Sequence, residues 1–271
     1  MGRPEEPIGE VFWQRVLIPP FFTAGFTARM PAMTDKDSML ISDRPVILVG
    51  GGRVDHGQLK ALGAEFPVVA ADSGADTVVE AGLTPRLVAG DFDSISSPEN
   101  FPDSAVIPTP DQDQTDFAKA LDLINAPLII GLGFLGRRLD HTLATTSTLA
   151  SSQSVPVVLL DRYDAVFYAD APVALDLEPG DRVSIWPVHG QGFTASTGLE
   201  WPLDGLFMQP GSVIGTSNRV RADLVDGAGV TITPGDGGSG YLVIVAAERL
   251  PAVIGAVCPL WAGEAAQLLF P

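Results

Sequence analysis

Between Val46 and Leu160 the chain repeats one unit: a short run of consecutive apolar residues, a turn rich in glycine or aspartate, then a stretch with helical spacing. The runs are Val46-Ile-Leu-Val49, Val68-Val-Ala-Ala71, Leu87-Val-Ala89, a short one near Ala105 to Ile107, Leu128-Ile-Ile130 and Val157-Val-Leu-Leu160. Successive side chains of a strand point to opposite faces, so an unbroken apolar run requires both faces to be covered. Such strands alternating with helices predict a mainly parallel, Rossmann-like sheet with flanking helices. Helices are expected up to Ala64, over Thr77 to Ala81 with Gly82 closing it, after Thr115 and over Leu139 to Ser151. Ligands of such sheets bind beyond the carboxyl ends of the strands, which is where the acidic clusters of this chain fall.

Of those ends, Leu87-Val-Ala-Gly-Asp-Phe-Asp-Ser-Ile95 carries the sharpest signal. Asp91 and Asp93 stand two positions apart, so on extended backbone both carboxylates point to one side. Carboxylates held that close repel unless a cation or a proton lies between them. Mg²⁺ suits the position, because it takes oxygen ligands and keeps places for substrate phosphates. A polar turn capping a strand accounts for the same residues. Asp116, in the first turn of the helix after Asp111-Gln-Asp-Gln-Thr115, is expected to face them as a third carboxylate. Acidic residues favouring the positive end of that helix are the plainer alternative.

Gly131-Leu-Gly-Phe-Leu-Gly136 follows a strand and precedes a helix, and Asp161 lies 25 residues beyond Gly136. That spacing fits a dinucleotide-binding unit, which leaves an NAD-linked oxidoreductase as a rival reading. Against it, Arg137 and Arg138 occupy the start of the following helix. Cations there suit a triphosphate whose charge must be neutralised while it reacts. A haloacid-dehalogenase-type phosphatase is a second rival, since its motif also opens with two aspartates after a strand, but Ile95 departs from that pattern.

From about Asp164 the texture changes to short strand-like runs between Gly and Pro turns, such as Glu178-Pro-Gly-Asp181. This predicts a β-sandwich. The expected divisions are an N-terminal extension over 1–44, an α/β catalytic domain over 45–164, a β-sandwich over 165–250 and a tail over 251–271. The extension is expected to be dispensable, with a start site placed too early or an amphipathic docking segment as its two explanations. With 16 Lys and Arg against 33 Asp and Glu, the formal charge of −17 argues against nucleic-acid or anionic-membrane partners. One cysteine, Cys258, excludes an internal disulfide framework, and no apolar run approaches the roughly 20 residues that span a bilayer. The cytoplasm is the expected compartment. A non-catalytic ligand-binding protein built on the β-rich half is the remaining alternative.

Six stretches in order carry a resemblance. They are Asp72-Ser-Gly-Ala75, Gly90-Asp-Phe-Asp-Ser-Ile95, Thr109-Pro-Asp-Gln-Asp-Gln-Thr-Asp-Phe117, Gly136-Arg-Arg-Leu-Asp-His141, Thr197-Gly-Leu-Glu-Trp-Pro-Leu203 and Thr216-Ser-Asn218. Together they resemble the motifs of thiamine pyrophosphokinases over residues 46 to 247. The resemblance implies transfer of pyrophosphate from ATP to the hydroxyl of thiamine, with Mg²⁺, in a homodimer whose sites are shared between chains. It implies metal ligands at Asp91, Asp93 and Asp116, and ATP contacts at Asp72, Gly74, Gln112 and Arg138. Asp140 matches a position near the reacting phosphates and is the candidate proton acceptor. Ser217 and Asn218 match the thiamine-side motif, and Tyr241 is the candidate stacking face for the flat thiamine cation. Ser73 and Arg137 stand where the family usually has glycine, and Asp76 where asparagine is common.

Overall fold

The computed structural model describes residues 40–90, 95–96, 101, 106–108, 114–151, 154–224 and 229–263. Asp91, Asp93, Gln112, residues 1–39 and the end of the tail from 264 lie outside them, and so do the expectations that rest on them. In chain order the strands begin with β1 (Leu40–Ile41), β2 (Val46–Val49), β3 (Val68–Ala71), β4 (Leu87–Gly90), β5 (Val106–Pro108), β6 (Ile124–Asn125), β7 (Ile129–Leu132) and β8 (Val157–Leu160). They continue with β9 (Asp164–Ala169), β10 (Val173–Leu175), β11 (Arg182–Pro187), β12 (Gln191–Thr197), β13 (Phe207–Met208), β14 (Gly215–Arg219), β15 (Val230–Pro234) and β16 (Tyr241–Ala246). The helices are α1 (His56–Glu65), α2 (Gly74–Glu80), α3 (Asp116–Asp122), α4 (Leu139–Leu149) and α5 (Leu250–Val257).

Ten strands form one sheet in the order β14-β11-β16-β9-β8-β7-β2-β3-β4-β5. From β8 to β5 every neighbour is parallel, and from β8 to β14 every neighbour is antiparallel. The expected mainly parallel sheet followed by a separate sandwich is therefore corrected to a mixed sheet that runs through both halves. The cause is a tight turn. Asp161 Oδ1 accepts the N–H groups of Tyr163 at 2.7 Å and Asp164 at 2.8 Å, and the chain doubles back as β9 beside β8. An aspartate that satisfies the backbone two and three residues on is a strong turn former, but apolar patterning alone does not reveal which strand it pairs.

In the parallel wing, side chains of β2 alternate between two cores. Ile47 and Val49 pack with Leu59 and Leu62 of α1 and Val78 of α2, whereas Val46 and Leu48 pack with Phe117 and Leu121 of α3. Full burial of each such aliphatic contributes about 1.5–3 kcal/mol, so unbroken apolar strands are stable only when clad on both sides. The antiparallel wing is covered on one face by a four-stranded sheet, β10-β15-β12-β13. Phe193 of β12 meets Tyr241 of β16 across that sandwich, with ring centroids 5.1 Å apart in an edge-on contact. The apolar tail given no role by its sequence forms α5, which starts at Leu250 and buries Leu250, Val253 and Ile254 in the same core. Among the described residues, no helix is long and apolar enough to cross a membrane.

Candidate functional site

A cavity of about 680 Å³ opens at the carboxyl ends of the parallel strands, lined by Gly50 to Gly52 after β2, Asp72 and Ser73 after β3, and the starts of α3 and α4. Its walls depend on missing side chains. A Cβ on Gly74 would lie 2.1 Å from the Val49 carbonyl oxygen, and one on Gly52 would lie 2.3 Å from that of Gly133. The loops after β2 and β7 are also joined by the Gly52 N–H, which donates to the Gly133 carbonyl at 2.9 Å. Phe134 closes one side, lying against Gly50 and packing tilted on Phe117 with ring centroids 4.5 Å apart. Asp72 leaves β3 with a left-handed backbone, φ +48°, while its N–H donates to Ala89 of β4 at 2.7 Å. Gly90, the last residue of β4, lies beside it, since a Cβ there would come within 3.1 Å of the Asp72 Cα.

Asp116 opens α3, which is capped as expected by Thr115, whose hydroxyl accepts the Ala118 N–H at 3.2 Å. Its carboxylate lines the cavity and its Oδ1 lies 3.3 Å from Nζ of Lys119. Lys119 is only 8% exposed, a buried cation that sequence reasoning missed. Its signal was present in the i, i+3 spacing to Asp116, but a lysine in a helix ordinarily faces solvent. An oxygen donor such as Asp116, half exposed at the cavity wall, fits a hard divalent cation. Among the described residues no three His, Cys, Asp or Glu side chains converge on a metal position. Asp76, in the first turn of α2, accepts the Ser96 N–H at 3.0 Å, which ties the chain just past the Asp91 to Ser94 run to the helix beside Asp72.

Arg138 lines the cavity and forms two parallel hydrogen bonds with Asp140. The guanidinium holds the Asp140 carboxyl below the usual carboxylate range, helped by the His141 N–H at 3.0 Å. A carboxylate engaged in this way is a poor proton acceptor, which argues against the expected base role.

The thiamine-side residues sit elsewhere. Thr216, Ser217 and Asn218 belong to β14, at the edge of the sheet, five strand steps or about 24 Å from β7 at the usual interstrand spacing. Ser217 is exposed in a left-handed conformation, φ +60°. Asn218 is buried: its Oδ1 accepts from Trp201 and Arg219 N–H groups, and its amide donates to the Trp201 carbonyl at 2.7 Å. It pins a loop. Tyr241 is fully buried, its ring against Phe193 and its hydroxyl donating to the Ala171 carbonyl, so no ring face is open and the expected stacking role is withdrawn. Trp201 offers what Tyr241 does not. It is 54% exposed beside Asn218, with the Arg219 guanidinium 5.2 Å from its ring centre. Its sequence signal is the aromatic in the Thr197 to Leu203 stretch.

Glycine loops, helix starts and cations gather around one cavity at the carboxyl ends of parallel strands, which is where α/β sheets bind their ligands. The Asp161 carboxylate is spent on the turn to β9, and α4 starts only at Leu139, so the dinucleotide-binding alternative is not supported. Residues 60–159 match the model of the thiamin pyrophosphokinase catalytic domain, and residues 173–233 that of the thiamin pyrophosphokinase vitamin B1 binding domain. The chain belongs to the thiamin pyrophosphokinase family. It is 32% identical over 157 residues to thiamin pyrophosphokinase 1 of Caenorhabditis elegans, covering 52% of this chain and 65% of that one. It is 29% identical over 197 residues to thiamine pyrophosphokinase 1 of Oryza sativa subsp. japonica, covering 65% of this chain and 71% of the relative. The crystal structure of thiamin pyrophosphokinase from Geobacillus thermodenitrificans superimposes with a TM-score of 0.60 at 26% identity, covering 74% of this chain and 96% of that one. The chain thus spans roughly two thirds of the length of these curated relatives.

Proposed function

We propose that this chain transfers the pyrophosphoryl group of ATP to the hydroxyl of thiamine, giving thiamine diphosphate and AMP. The observation that carries the reading is the cavity that gathers Asp72, Asp116, Lys119 and Arg138 under two glycine loops, inside the stretch that matches the catalytic domain. In that reading residues 45–164 form the catalytic part and residues 165–250 the thiamine-binding part. The glycine loops and the Asp72 to Gly74 turn receive the nucleotide, with Gln112 beside it. Arg138, oriented by Asp140, contacts the phosphates. Asp91, Asp93 and Asp116 would hold Mg²⁺, which when bound would supply electrostatic stabilisation of the phosphate charge during transfer. Lys119, 3.3 Å from Oδ1, holds the Asp116 carboxylate in place. Thiamine lies on the Trp201 ring, with the Ser217 hydroxyl at its edge.

The wide separation of β14 from the cavity supports a two-fold dimer in which the β-rich half of one chain completes the site of the other. Exposed apolar side chains support the same assembly: Leu139 and Leu143 on α4, Phe207 on β13, and Val213 just before β14. The cytoplasm remains the compartment in this reading. The test is AMP release from ATP with the purified full chain. We expect AMP only when thiamine and Mg²⁺ are both present, in amounts equal to the thiamine diphosphate formed. ADP as product, or thiamine-independent hydrolysis, would overturn the reading.

A further inference from the structure

The two arginines at the start of α4 are not equivalent. Arg138 is neutralised by Asp140, and Lys119, the other cation lining the cavity near α3, is turned to Asp116. Arg137 is held differently. Its NH1 donates to the Gly51 carbonyl at 2.9 Å, reaching across to the loop after β2, 86 residues away in the chain. That partner is neutral, and among the described residues no carboxylate forms an ion pair with it. Among the described residues Arg137 therefore brings to the cavity wall a positive charge with no ion-pair partner, whereas Lys119 and Arg138 are each paired with a carboxylate.

The backbone beneath it points the same way. Arg137 has φ +57°, a left-handed conformation that side-chain-bearing residues adopt at a cost and glycine adopts freely. Gly136 before it is also left-handed, φ +71°, and the two together turn the chain into α4. Strain of this kind persists where surrounding contacts fix it, and it concentrates at sites that bind ligands. A glycine would make the same turn without strain, so the turn alone does not call for arginine. A guanidinium with one donor anchored on Gly51 keeps the rest for an anion in the cavity.

We propose that Arg137 sets the preference of this site for a nucleoside triphosphate, its remaining N–H groups binding the terminal phosphates of ATP while Gly51 holds the side chain in place. The inference rests on the ATP-dependent function proposed above. The Gly51 bond pre-orders the side chain, so less rotamer freedom is lost on binding. The neighbouring Arg138, already satisfied by Asp140, discriminates less by phosphate number.

Calorimetric titration of the full chain with ATP, ADP and AMP, each with MgCl₂ and without thiamine, tests this on wild type, R137G and R137Q. Glycine removes the side chain and the backbone strain together, whereas glutamine removes the charge and the reach of the guanidinium but keeps a side chain at this backbone conformation. We expect ATP affinity to fall about 10-fold or more in both variants, with AMP affinity unchanged within about twofold. The melting temperature of R137G should equal or exceed that of wild type. A folded variant with wild-type ATP affinity, or one that loses ATP and AMP equally, overturns the proposal. Should R137G not fold, R137Q decides alone. A wild-type protein that binds no nucleotide overturns this proposal together with the function. One that binds ATP through Arg137 but makes no thiamine diphosphate overturns the function alone.

Discussion

Arg138 and Asp140 face each other across the first turn of α4, with Nε to Oδ1 at 3.1 Å and NH2 to Oδ2 at 2.5 Å. Both side chains are largely exposed, so the pair adds little to stability, and its value lies in fixing the plane of the guanidinium. The two residues should therefore act as one unit. We expect R138A to lower kcat/KM by about 10²–10³-fold, as for other donors aimed at reacting oxygens. The R138A/D140A double variant should be no worse than R138A alone. The carboxyl of Asp140 is depressed, so the pair is intact above the unfolded carboxylate pKa and is lost only as pH falls through the lower folded value. The D140N pH–rate profile should keep the wild-type shape from about pH 5 upward. Loss of a basic group's titration in that range would restore Asp140 as proton acceptor.

Gly74 carries a packing constraint along with its place in the proposed ATP site. The start of α2 lies so close to β2 that a methyl group would overlap the Val49 carbonyl, which is sheet backbone and cannot move aside. G74A should thus destabilise the protein by about 2 kcal/mol or more, the range for overpacked or backbone-shifted sites. Urea unfolding of the two proteins measures it. A loss below about 0.5 kcal/mol would mean that α2 can shift without penalty.

Much of this was legible in the sequence where one residue acts on its near neighbours. Thr115 caps α3, and Glu178-Pro-Gly-Asp181 makes the turn its residues demand, with Gly180 at φ +90° and the Asp181 N–H donating to Glu178. The strands β2, β3 and β8 fall where the apolar runs placed them, and β7 starts one residue later than its run and ends two residues beyond it. Pairing between distant strands was not legible: alternation says which side chains are buried, not that β9 returns beside β8. Tyr241 misled for a related reason. Tyrosine suits both a core and a ligand face, and only the position of β16 between β9 and β11 under the second sheet decides for the core. Lys119 was hidden because its burial depends on how α3 packs, which spacing does not specify.

Adjacent residues of β14 should respond with opposite signs. Asn218 is buried and satisfies both polar groups of Trp201, so N218A leaves them without partners and should cost about 1–3 kcal/mol. Ser217 is an exposed residue at φ +60°, so S217G should be neutral or stabilise by up to about 1 kcal/mol. Thermal and urea unfolding of the pair check both signs. If S217G destabilises and N218A does not, the roles of the two residues are reversed.

Cys258 gives a pH test of the α5 packing. It is buried at the end of α5, and burial raises its thiol pKa. A raised folded value means that its contribution to stability is whole below the unfolded thiol pKa, about 8.5, and is lost as pH rises through the folded value. At pH 8 the native protein should react with iodoacetamide far more slowly than the same chain in urea. Equal rates would mean that α5 opens readily from the core.

The last prediction concerns assembly. If Asp116 of one chain and Trp201 of the other serve the same site, the two lesions D116N and W201A complement each other in mixed dimers. Each variant alone should be nearly inactive, because every site of its homodimer carries the lesion. Unfolding the two together in equal amounts and refolding makes about half of the dimers mixed, by random pairing. A mixed dimer has one site with both lesions and one with neither, so about a quarter of wild-type activity should return. The sheet order makes this outcome physically reasonable, since four strands lie between β14 and β7 within one chain. A chain that folded back to complete its own site would have to bring that edge across the sandwich, against the packing of Phe193 on Tyr241. In that case every site would carry one lesion and no activity would return. Absence of recovery, with mixed dimers confirmed by native mass spectrometry, would reject the shared site.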